Sequence, residues 1–207
     1  MKDSLFGRMQ YTVRYPKDFD ETKKYPLLLF LHGAGERGDD WDKVAWHGFL
    51  RNVREEGRQY PFIIVAPQCP CDKYWGCYTE SLFAFLDYTC DTLPVDKTRV
   101  YVTGLSMGGT GTFMLAMAKP ERFAAIAPIC GSGICWYGEA LKDVHVMMYH
   151  GDQDGIVPID ESITMLRAIN SHGGNAELKI LYNVGHDAWN YAYAGDELVN
   201  WLLSHKK

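Results

Sequence analysis

The pentapeptide Gly104-Leu105-Ser106-Met107-Gly108 decides the fold expected of this 207-residue chain. A strand-like run, Arg99-Val100-Tyr101-Val102-Thr103, precedes it, and a helix-like run, Thr112-Phe113-Met114-Leu115-Ala116-Met117-Ala118, follows it. The pattern G-x-S-x-G between a strand and a helix is typical of a nucleophile elbow, a tight turn that exposes a serine at the edge of a sheet. Glycines at both ends remove the side chains that would collide in so sharp a turn. Ser106 is therefore the candidate nucleophile.

Strand and helix signals alternate along the rest of the chain, without a linker or an internal repeat. Two short apolar runs, at 26–31 and 62–66, are typical of strands buried on both faces of a parallel sheet, and the alternation at 11–15 is typical of an edge strand. We predict further strands at 100–103, 124–129, 144–149 and 178–182, and helices at 42–56, 80–92, 111–119, 160–170 and 188–204. This order predicts an α/β fold with a mostly parallel central sheet and helices on both faces. Sites in such sheets lie beyond the carboxyl ends of the strands.

Candidate acid and base side chains follow two later strands, in the chain order that an elbow serine requires. Asp154 follows the predicted strand at 144–149, and His186 follows the predicted strand at 178–182. We predict that His186 takes the proton of the Ser106 hydroxyl and returns it to the leaving group. Asp154 is predicted to fix the imidazole tautomer and to stabilise its charged form.

Alternatives remain for both partners. Asp152 is a second candidate acid, although its position next to the strand suits hydrogen bonding within the loop better. Asp187, beside His186, is interpreted as a helix cap. His32 and His150 lie at predicted strand ends, where a histidine more often has a structural hydrogen-bonding role. His172 and His205 are predicted to be exposed. The full set of alternative bases is His32, His47, His145, His150, His172 and His205.

An oxyanion site requires backbone N–H groups that are in place before the reaction. Met107, directly after the nucleophile, supplies the first predicted donor. The glycine-rich run Leu31-His32-Gly33-Ala34-Gly35-Glu36-Arg37-Gly38 follows the first buried strand, and Ala34 is the second predicted donor. Gly33 allows the backbone to approach a substrate closely. A phosphate-binding loop is excluded because no Gly-Lys-Ser or Gly-Lys-Thr follows.

Composition indicates an ordinary globular protein. The chain is 47% hydrophobic and 23% charged, and its length suits one α/β domain spanning 1–207. Its net charge of −5 and scattered lysines and arginines predict no nucleic-acid partner. No apolar run is long enough to cross a bilayer, so we expect no membrane partner. Composition and length leave the oligomeric state open.

The amino-terminal run Met1-Lys2-Asp3-Ser4-Leu5-Phe6-Gly7-Arg8 lacks the apolar segment of a secretory signal. As written, the chain is expected to be cytoplasmic, or secreted if a signal peptide has been removed.

The six cysteines do not follow the spacing of a disulfide-dense or zinc-binding domain. They are Cys69, Cys71, Cys77, Cys90, Cys130 and Cys135. We expect reduced thiols, with a Cys71–Cys77 bridge open to an exported protein, and we expect no metal site.

These motifs together resemble the esterase and predicted-peptidase group of α/β-hydrolases, over nearly the whole chain. That group includes polyhydroxybutyrate depolymerase-like, feruloyl-esterase-like and phospholipase/carboxylesterase-like proteins. The resemblance rests on 30–38, 66–70, 101–109, 128–131 and the loops of Asp154 and His186. It implies an α/β-hydrolase fold and a Ser-His-Asp enzyme that needs no cofactor. Ala34 and Met107 carry over as oxyanion donors.

The segment between Cys130 and Asp143 is short, so we expect no large lid domain and an open site. Trp75 and Trp136, in loops near the predicted site, are candidate substrate-binding residues, with packing as the alternative role. For Glu36 and Arg37, beside the oxyanion loop, a local salt bridge is favoured over substrate contact.

The sequence thus predicts a serine carboxylesterase that acts through an acyl-enzyme on Ser106. Expected substrates are small-molecule or polysaccharide-linked esters with short or aromatic acyl groups, such as acetyl or feruloyl esters of plant polysaccharide. A thioesterase or lysophospholipase, or a small serine peptidase, would use the same triad. A catalytically silent binding module is the alternative from another class.

Overall fold

The computed structural model describes residues 9–207, in which one seven-stranded sheet carries helices on both faces. The segment 1–8, examined above for a secretory signal, lies outside the described residues. The strands are β1 Tyr11–Arg14, β2 Tyr25–Leu31, β3 Ile63–Pro67, β4 Val95–Leu105, β5 Ala125–Ile129, β6 His145–Gly151 and β7 Ala176–Leu181. The α-helices are α1 Gly48–Glu56, α2 Thr79–Thr92, α3 Met107–Ala118, α4 Asp160–Ser171, α5 Trp189–Ala192 and α6 Glu197–Leu203.

The strand order is β1-β3-β2-β4-β5-β6-β7. β1 pairs antiparallel with β3, and every other pair of neighbours is parallel. The predicted α/β-hydrolase fold with a mostly parallel sheet is therefore confirmed, and its parallel strands end at one edge.

Alternation along β2 explains the two layers of helices. Leu27, Leu29 and Leu31 lie in one core together with side chains of α2, α3 and α4. Leu28 and Phe30 point to the opposite core, which includes side chains of α1 and α6. Successive side chains of a strand point to opposite faces, so a continuously apolar strand requires cover on both.

Two predicted helices are shorter than the sequence pattern indicated. The helix predicted at 42–56 is divided into a 3₁₀ turn, Trp41–Ala45, and α1, because Gly48 takes a φ of 68° and packs against Phe30. The helix predicted at 188–204 is divided into α5 and α6. The Arg58 guanidinium binds the carbonyls of Tyr193 and Ala194 in this break, which satisfies groups that a helix would otherwise pair.

The connection between β5 and β6 contains a 3₁₀ segment, Cys135–Leu141, and no inserted domain. The expectation of no large lid therefore agrees with the structure of residues 9–207. Over the same residues, no helix has the length and apolar character needed to cross a membrane.

His32 joins the ends of two central strands. Its Nε2 accepts a hydrogen bond of 2.9 Å from the Cys69 N–H, and its backbone carbonyl accepts one of 2.9 Å from the Trp75 indole N–H. Because Nε2 is an acceptor, the ring is neutral and its proton is on Nδ1, which donates to the Gly33 carbonyl at 2.6 Å. Burial lowers the pKa of His32 to about 4.

We predict that acid destabilises the fold through His32. The pKa of its imidazole is about 4 in the folded protein, against an ordinary value of 6.5, so the unfolded chain binds its proton at a higher pH. The free energy of unfolding should fall by on the order of 2–3 kcal/mol as the pH drops from about 6.5 to about 4. Urea titrations at several pH values measure this fall.

His32→Gln, whose side chain does not titrate, should show a smaller fall over the same pH range. His172→Gln, at an exposed position, is the matched control and should keep the wild-type fall. An unchanged fall in His32→Gln would contradict the assignment to His32.

Candidate active site

Ser106 lies in the turn between β4 and α3, with a φ of 53°. A residue with a side chain adopts such a φ rarely, at a cost of about 1–3 kcal/mol. The Ser106 N–H donates to the Ile129 carbonyl at 2.9 Å, which ties the turn to the end of β5. Two glycines let the turn lie directly on the end of β2. A Cβ atom on Gly108 would lie 1.9 Å from the Leu31 oxygen, and one on Gly104 would lie 2.6 Å from it.

A chain of hydrogen bonds joins three of the predicted site residues. The Ser106 Oγ lies 2.8 Å from Nε2 of His186, and Nδ1 of His186 lies 2.7 Å from Oδ2 of Asp154. A carboxylate only accepts, so Nδ1 carries the proton and Nε2 accepts from the serine hydroxyl. The structure therefore brings together Ser106, His186 and Asp154, from loops after β4, β7 and β6.

The Asp154 carboxylate is surrounded by donors. Its Oδ1 accepts 2.9 Å hydrogen bonds from the N–H groups of Ile156 and Val157. Its Oδ2 accepts from His186 and also lies 3.2 Å from Nε2 of His150. Burial raises the pKa of this carboxyl, but the hydrogen bonds of His186, Val157 and Ile156 outweigh burial and keep the pKa below its ordinary value. Asp154 is thus held as an anion beside His186.

His150 is buried behind Asp154 and holds the loop that carries it. Its Nε2–H donates to the Val157 carbonyl at 2.8 Å, and its Nδ1 accepts from the Ser162 hydroxyl at 2.7 Å. Both ring nitrogens therefore serve the structure of the loop, which is the role that the sequence favoured for a histidine at a strand end.

The alternative acids have other partners. Asp152 accepts a 2.7 Å hydrogen bond from the Asn183 N–H, which agrees with the loop role predicted for it. Asp187 accepts from the side chain of Asn190 at 3.1 Å. Ala188 precedes α5, and no side-chain cap is formed there among the described residues, so the interpretation of Asp187 as a helix cap is wrong.

The two predicted oxyanion donors each begin a helical segment. Met107 is the first residue of α3, and Ala34 is the first residue of a 3₁₀ turn, Ala34–Glu36. The first N–H groups of a helix have no carbonyl partner within it, so both are available to a ligand. Ala34 and Gly33 line the same pocket as Ser106.

The structure separates the two predicted substrate-binding tryptophans from this pocket. Trp75 is 2% exposed and packs in the core, with its indole N–H on the His32 carbonyl. The substrate-binding expectation for Trp75 is therefore corrected to support of the loop before Gly33. Trp136 is 83% exposed and lines a different surface depression, with Thr164 and Arg167. Its contact with a large substrate stays a prediction.

Glu36 and Arg37 do not form the local salt bridge that the sequence favoured. The Arg37 guanidinium donates to the carbonyls of Ala34 and Lys73 at 2.9 and 3.1 Å, so it shapes the loop through backbone oxygens. Glu36 is 3% exposed and lies on the wall of the pocket beside His47, whose Nε2 is 4.0 Å from Oε1 of Glu36.

Five further pocket residues were not predicted as site residues from the sequence, although His47 was named as an alternative base. They are Gly35, His47, Leu105, Ile156 and Trp189. Gly35 and Leu105 are adjacent in sequence to predicted site residues, and Ile156 and Trp189 lie two and three residues after one. His47 lies in a segment predicted as helix. Sequence proximity was the available signal for most of them, whereas the position of His47 depends on the turn at Gly48.

Cys130 and two site residues together offer three potential metal-ligand atoms. The Sγ of Cys130, with one ligand atom each of Asp154 and His186, forms a group whose atoms lie within 4.8 Å of one another. Burial raises the pKa of the Cys130 thiol to about 12, so the thiol keeps its proton and donates to the His186 carbonyl at 3.4 Å. Metals bind the thiolate, and these atoms are already used in hydrogen bonds. All six cysteines are free thiols in the structure.

Comparisons with known proteins identify similar families and structures. The model of a family described as "Putative esterase" matches residues 3–192. A relative from Aspergillus terreus named "Probable feruloyl esterase C" is 28% identical over 181 residues, which cover 83% of this chain and 64% of that protein. The chain thus spans less than two thirds of the length of this curated relative.

Solved structures show the same fold. One described as a thermostable esterase superposes with a TM-score of 0.84 and 31% identity, over 96% of this chain and 60% of that one. Another, described as a ferulic acid esterase, has a TM-score of 0.74 and 23% identity, over 93% and 90% of the two chains.

We predict that Gly108→Ala destabilises the protein by about 3 kcal/mol or more, because the new methyl group would collide with backbone atoms of Leu31 that have no room to move. Chemical denaturation measures the loss. Gly195→Ala is the matched control, since its Cβ would meet nothing closer than 3.9 Å, and its effect should stay within about 0.5 kcal/mol. Equal stability of the two variants would show that the elbow is not packed as described.

Proposed function

Since this chain belongs to the Esterase family, we propose that it hydrolyses carboxylic esters through an acyl-enzyme on Ser106. The observation that carries the proposal is the continuous hydrogen-bonded chain from the Ser106 hydroxyl through His186 to Asp154. In this series of hydrogen bonds, the acceptor nitrogen of the His186 imidazole faces the Ser106 hydroxyl and its donor nitrogen faces the Asp154 carboxylate, as nucleophile activation requires.

Acylation follows from this arrangement. The Ser106 Oγ attacks the ester carbonyl carbon while His186 Nε2 takes the hydroxyl proton. The carbonyl oxygen becomes an oxyanion, which the N–H groups of Met107 and Ala34 stabilise. The tetrahedral intermediate then expels the alcohol, which receives the proton from His186, and the acyl group remains on Ser106 as an ester.

Deacylation repeats these steps with water. His186 removes a proton from a water molecule whose oxygen attacks the acyl carbon, and the proton is returned to Ser106 Oγ as the acid leaves. Asp154 stays an anion throughout and stabilises the imidazolium that forms in each half of the reaction. The sum is ester plus water to acid plus alcohol, with no cofactor in any step.

Short or aromatic acyl groups suit the site best. The pocket beside Ser106 has a volume of about 320 Å³, and its wall includes the apolar side chains of Leu105 and Ile156 and the indole ring of Trp189. This volume lies at the lower end of the range for small-molecule sites. The described residues contain no inserted lid beside it. Relatives named feruloyl esterases support an aromatic acyl group, and we propose acetyl or feruloyl esters of plant polysaccharide as the natural substrates.

The first test compares the wild type with Ser106→Ala on p-nitrophenyl acetate, butyrate and octanoate and on methyl ferulate. Loss of the nucleophile should lower kcat by at least about 10⁴-fold on every ester that the wild type hydrolyses. The kcat/KM of the wild type should fall from butyrate to octanoate because the pocket volume of about 320 Å³ is small. Ser171→Ala, at an exposed serine on α4, is the control and should keep full activity.

A folded wild-type protein with no activity on any of these esters would overturn the esterase proposal. Activity that survives in Ser106→Ala would overturn the acyl-enzyme.

A second test separates the two neighbouring aspartates. Asp154→Asn should lower kcat by about 10⁴-fold, because the amide favours the wrong imidazole tautomer and leaves the imidazolium without an anion. Asp152→Asn is the matched control, since its side chain binds the Asn183 N–H rather than His186. Its kcat should stay within about tenfold of the wild type. Comparable losses in the two variants would contradict the assignment of Asp154 as the acid.

A further inference from the structure

Five side chains with polar atoms line the pocket beside Ser106, and the proposed chemistry uses two of them. Ser106 and His186 take part in the reaction, whereas Glu36 and His47 have no role in it. The fifth, Trp189, carries a buried indole N–H without a hydrogen-bond partner among the described residues. Other wall side chains, such as Leu105 and Ile156, are apolar. In pockets of this kind, a few polar groups on an apolar wall fix the orientation of the ligand.

Glu36 has an unused acceptor. The residue is 3% exposed, and its Oε1 is a buried atom with no hydrogen-bond partner among the residues that the structure describes. Burial raises the pKa of this carboxyl, against the opposing effect of backbone N–H groups of Glu36 and Gly33. A buried oxygen without a hydrogen-bond donor lowers the stability of the fold. A donor group on the substrate would therefore gain free energy by binding to Oε1 of Glu36.

His47 lies beside this oxygen. Its Nε2 lies 4.0 Å from Oε1 of Glu36, which is too far for a hydrogen bond. The imidazole is 38% exposed, so it can turn to admit a small group. Its ring packs on Trp189 at 5.4 Å, and Trp189 packs on His186 at 5.4 Å. One row of rings therefore connects this pair to the reacting histidine.

The separation of 4.0 Å suits an oxygen that hydrogen-bonds to both side chains. For an oxygen about 2.8 Å from both Oε1 of Glu36 and Nε2 of His47, the angle between the two contacts is roughly 90°, which suits the donor and acceptor directions of a hydroxyl group. A hydroxyl can donate to Oε1 of Glu36 and accept from Nε2–H of His47. An ammonium group only donates, and burial opposes the carboxylate charge that would attract it.

We propose that Glu36 and His47 form a subsite that binds a hydroxyl group of the ester substrate. This inference rests on the proposed esterase function and names the substrate class as hydroxylated esters. The hydroxyl belongs either to the acyl part, as in a phenolic acid, or to the alcohol part, as in a sugar or polyol, and the experiment separates these sources.

The test uses two pairs of esters that differ at one hydroxyl group. Methyl ferulate and methyl 3-methoxycinnamate differ in the acyl part, and 2-hydroxyethyl butyrate and propyl butyrate differ in the alcohol part. Glu36→Leu should lower kcat/KM for the hydroxylated member of one pair by about tenfold, the value of a hydrogen bond near the upper end of its usual range. The member without the hydroxyl should change by less than about twofold.

Three further variants complete the design. His47→Phe should reduce the same selectivity, and Glu36→Gln, which keeps an acceptor oxygen, should retain part of it. If Glu36→Leu does not fold, the selectivities of His47→Phe and Glu36→Gln still test the subsite. Glu139→Gln is the control, since Glu139 is exposed and pairs with Lys142 on a different loop, and it should leave all four rates unchanged.

Loss of selectivity in the first pair assigns the hydroxyl to the acyl part, and loss in the second pair assigns it to the alcohol. Equal losses for both members of each pair would show that Glu36 only supports the oxyanion loop and would overturn the subsite. A wild type that prefers neither hydroxylated ester would also overturn it, while its hydrolysis of these esters would leave the proposed function standing. No hydrolysis of any of the four would instead refute the esterase function itself.

Discussion

Two backbone segments approach each other closely at the turn of Ser106, and the layout of the surrounding loops follows from this contact. The first turn of α3 lies against the carbonyl end of β2, where side chains at 104 and 108 would overlap with the Leu31 oxygen. This contact pushes Ser106 into a positive φ, and Ser106 lines one pocket together with Ala34, the first residue of a 3₁₀ turn. The strain of the turn is offset by the packing of the apolar strands beneath it.

The loop after β2 keeps its shape through hydrogen bonds to backbone groups and to side chains of neighbouring segments. The neutral imidazole of His32 accepts from the Cys69 N–H, and the indole of Trp75 donates to the His32 carbonyl. Arg37 adds two contacts to backbone oxygens of its own loop and of Lys73. Because these groups are bound, the loop is fixed before any substrate arrives, which is the condition for effective stabilisation of an oxyanion.

The polar groups at this edge of the sheet divide into satisfied and unsatisfied ones. Both carboxylate oxygens of Asp154 accept hydrogen bonds, and both ring nitrogens of His150 form one, so the polar atoms in this part of the site are paired. Glu36 differs, since one of its oxygens is buried without a partner among the described residues. Fully satisfied networks hold catalytic groups in place, whereas an unpaired buried group has free energy to gain from a ligand.

The sequence alone predicted the order of strands and helices, the sheet class, and the candidate residues Ser106, Asp154 and His186, because apolar periodicity and the glycine elbow are local signals. It did not reveal the break between α5 and α6, which a distant guanidinium, Arg58, stabilises. It offered Trp75 as a substrate-binding residue, with packing as the alternative, and it favoured a local salt bridge for Glu36 and Arg37. These features follow from the folded arrangement of the chain, because burial and pairing depend on which loops meet at the edge of the sheet, and such contacts join residues far apart in the sequence.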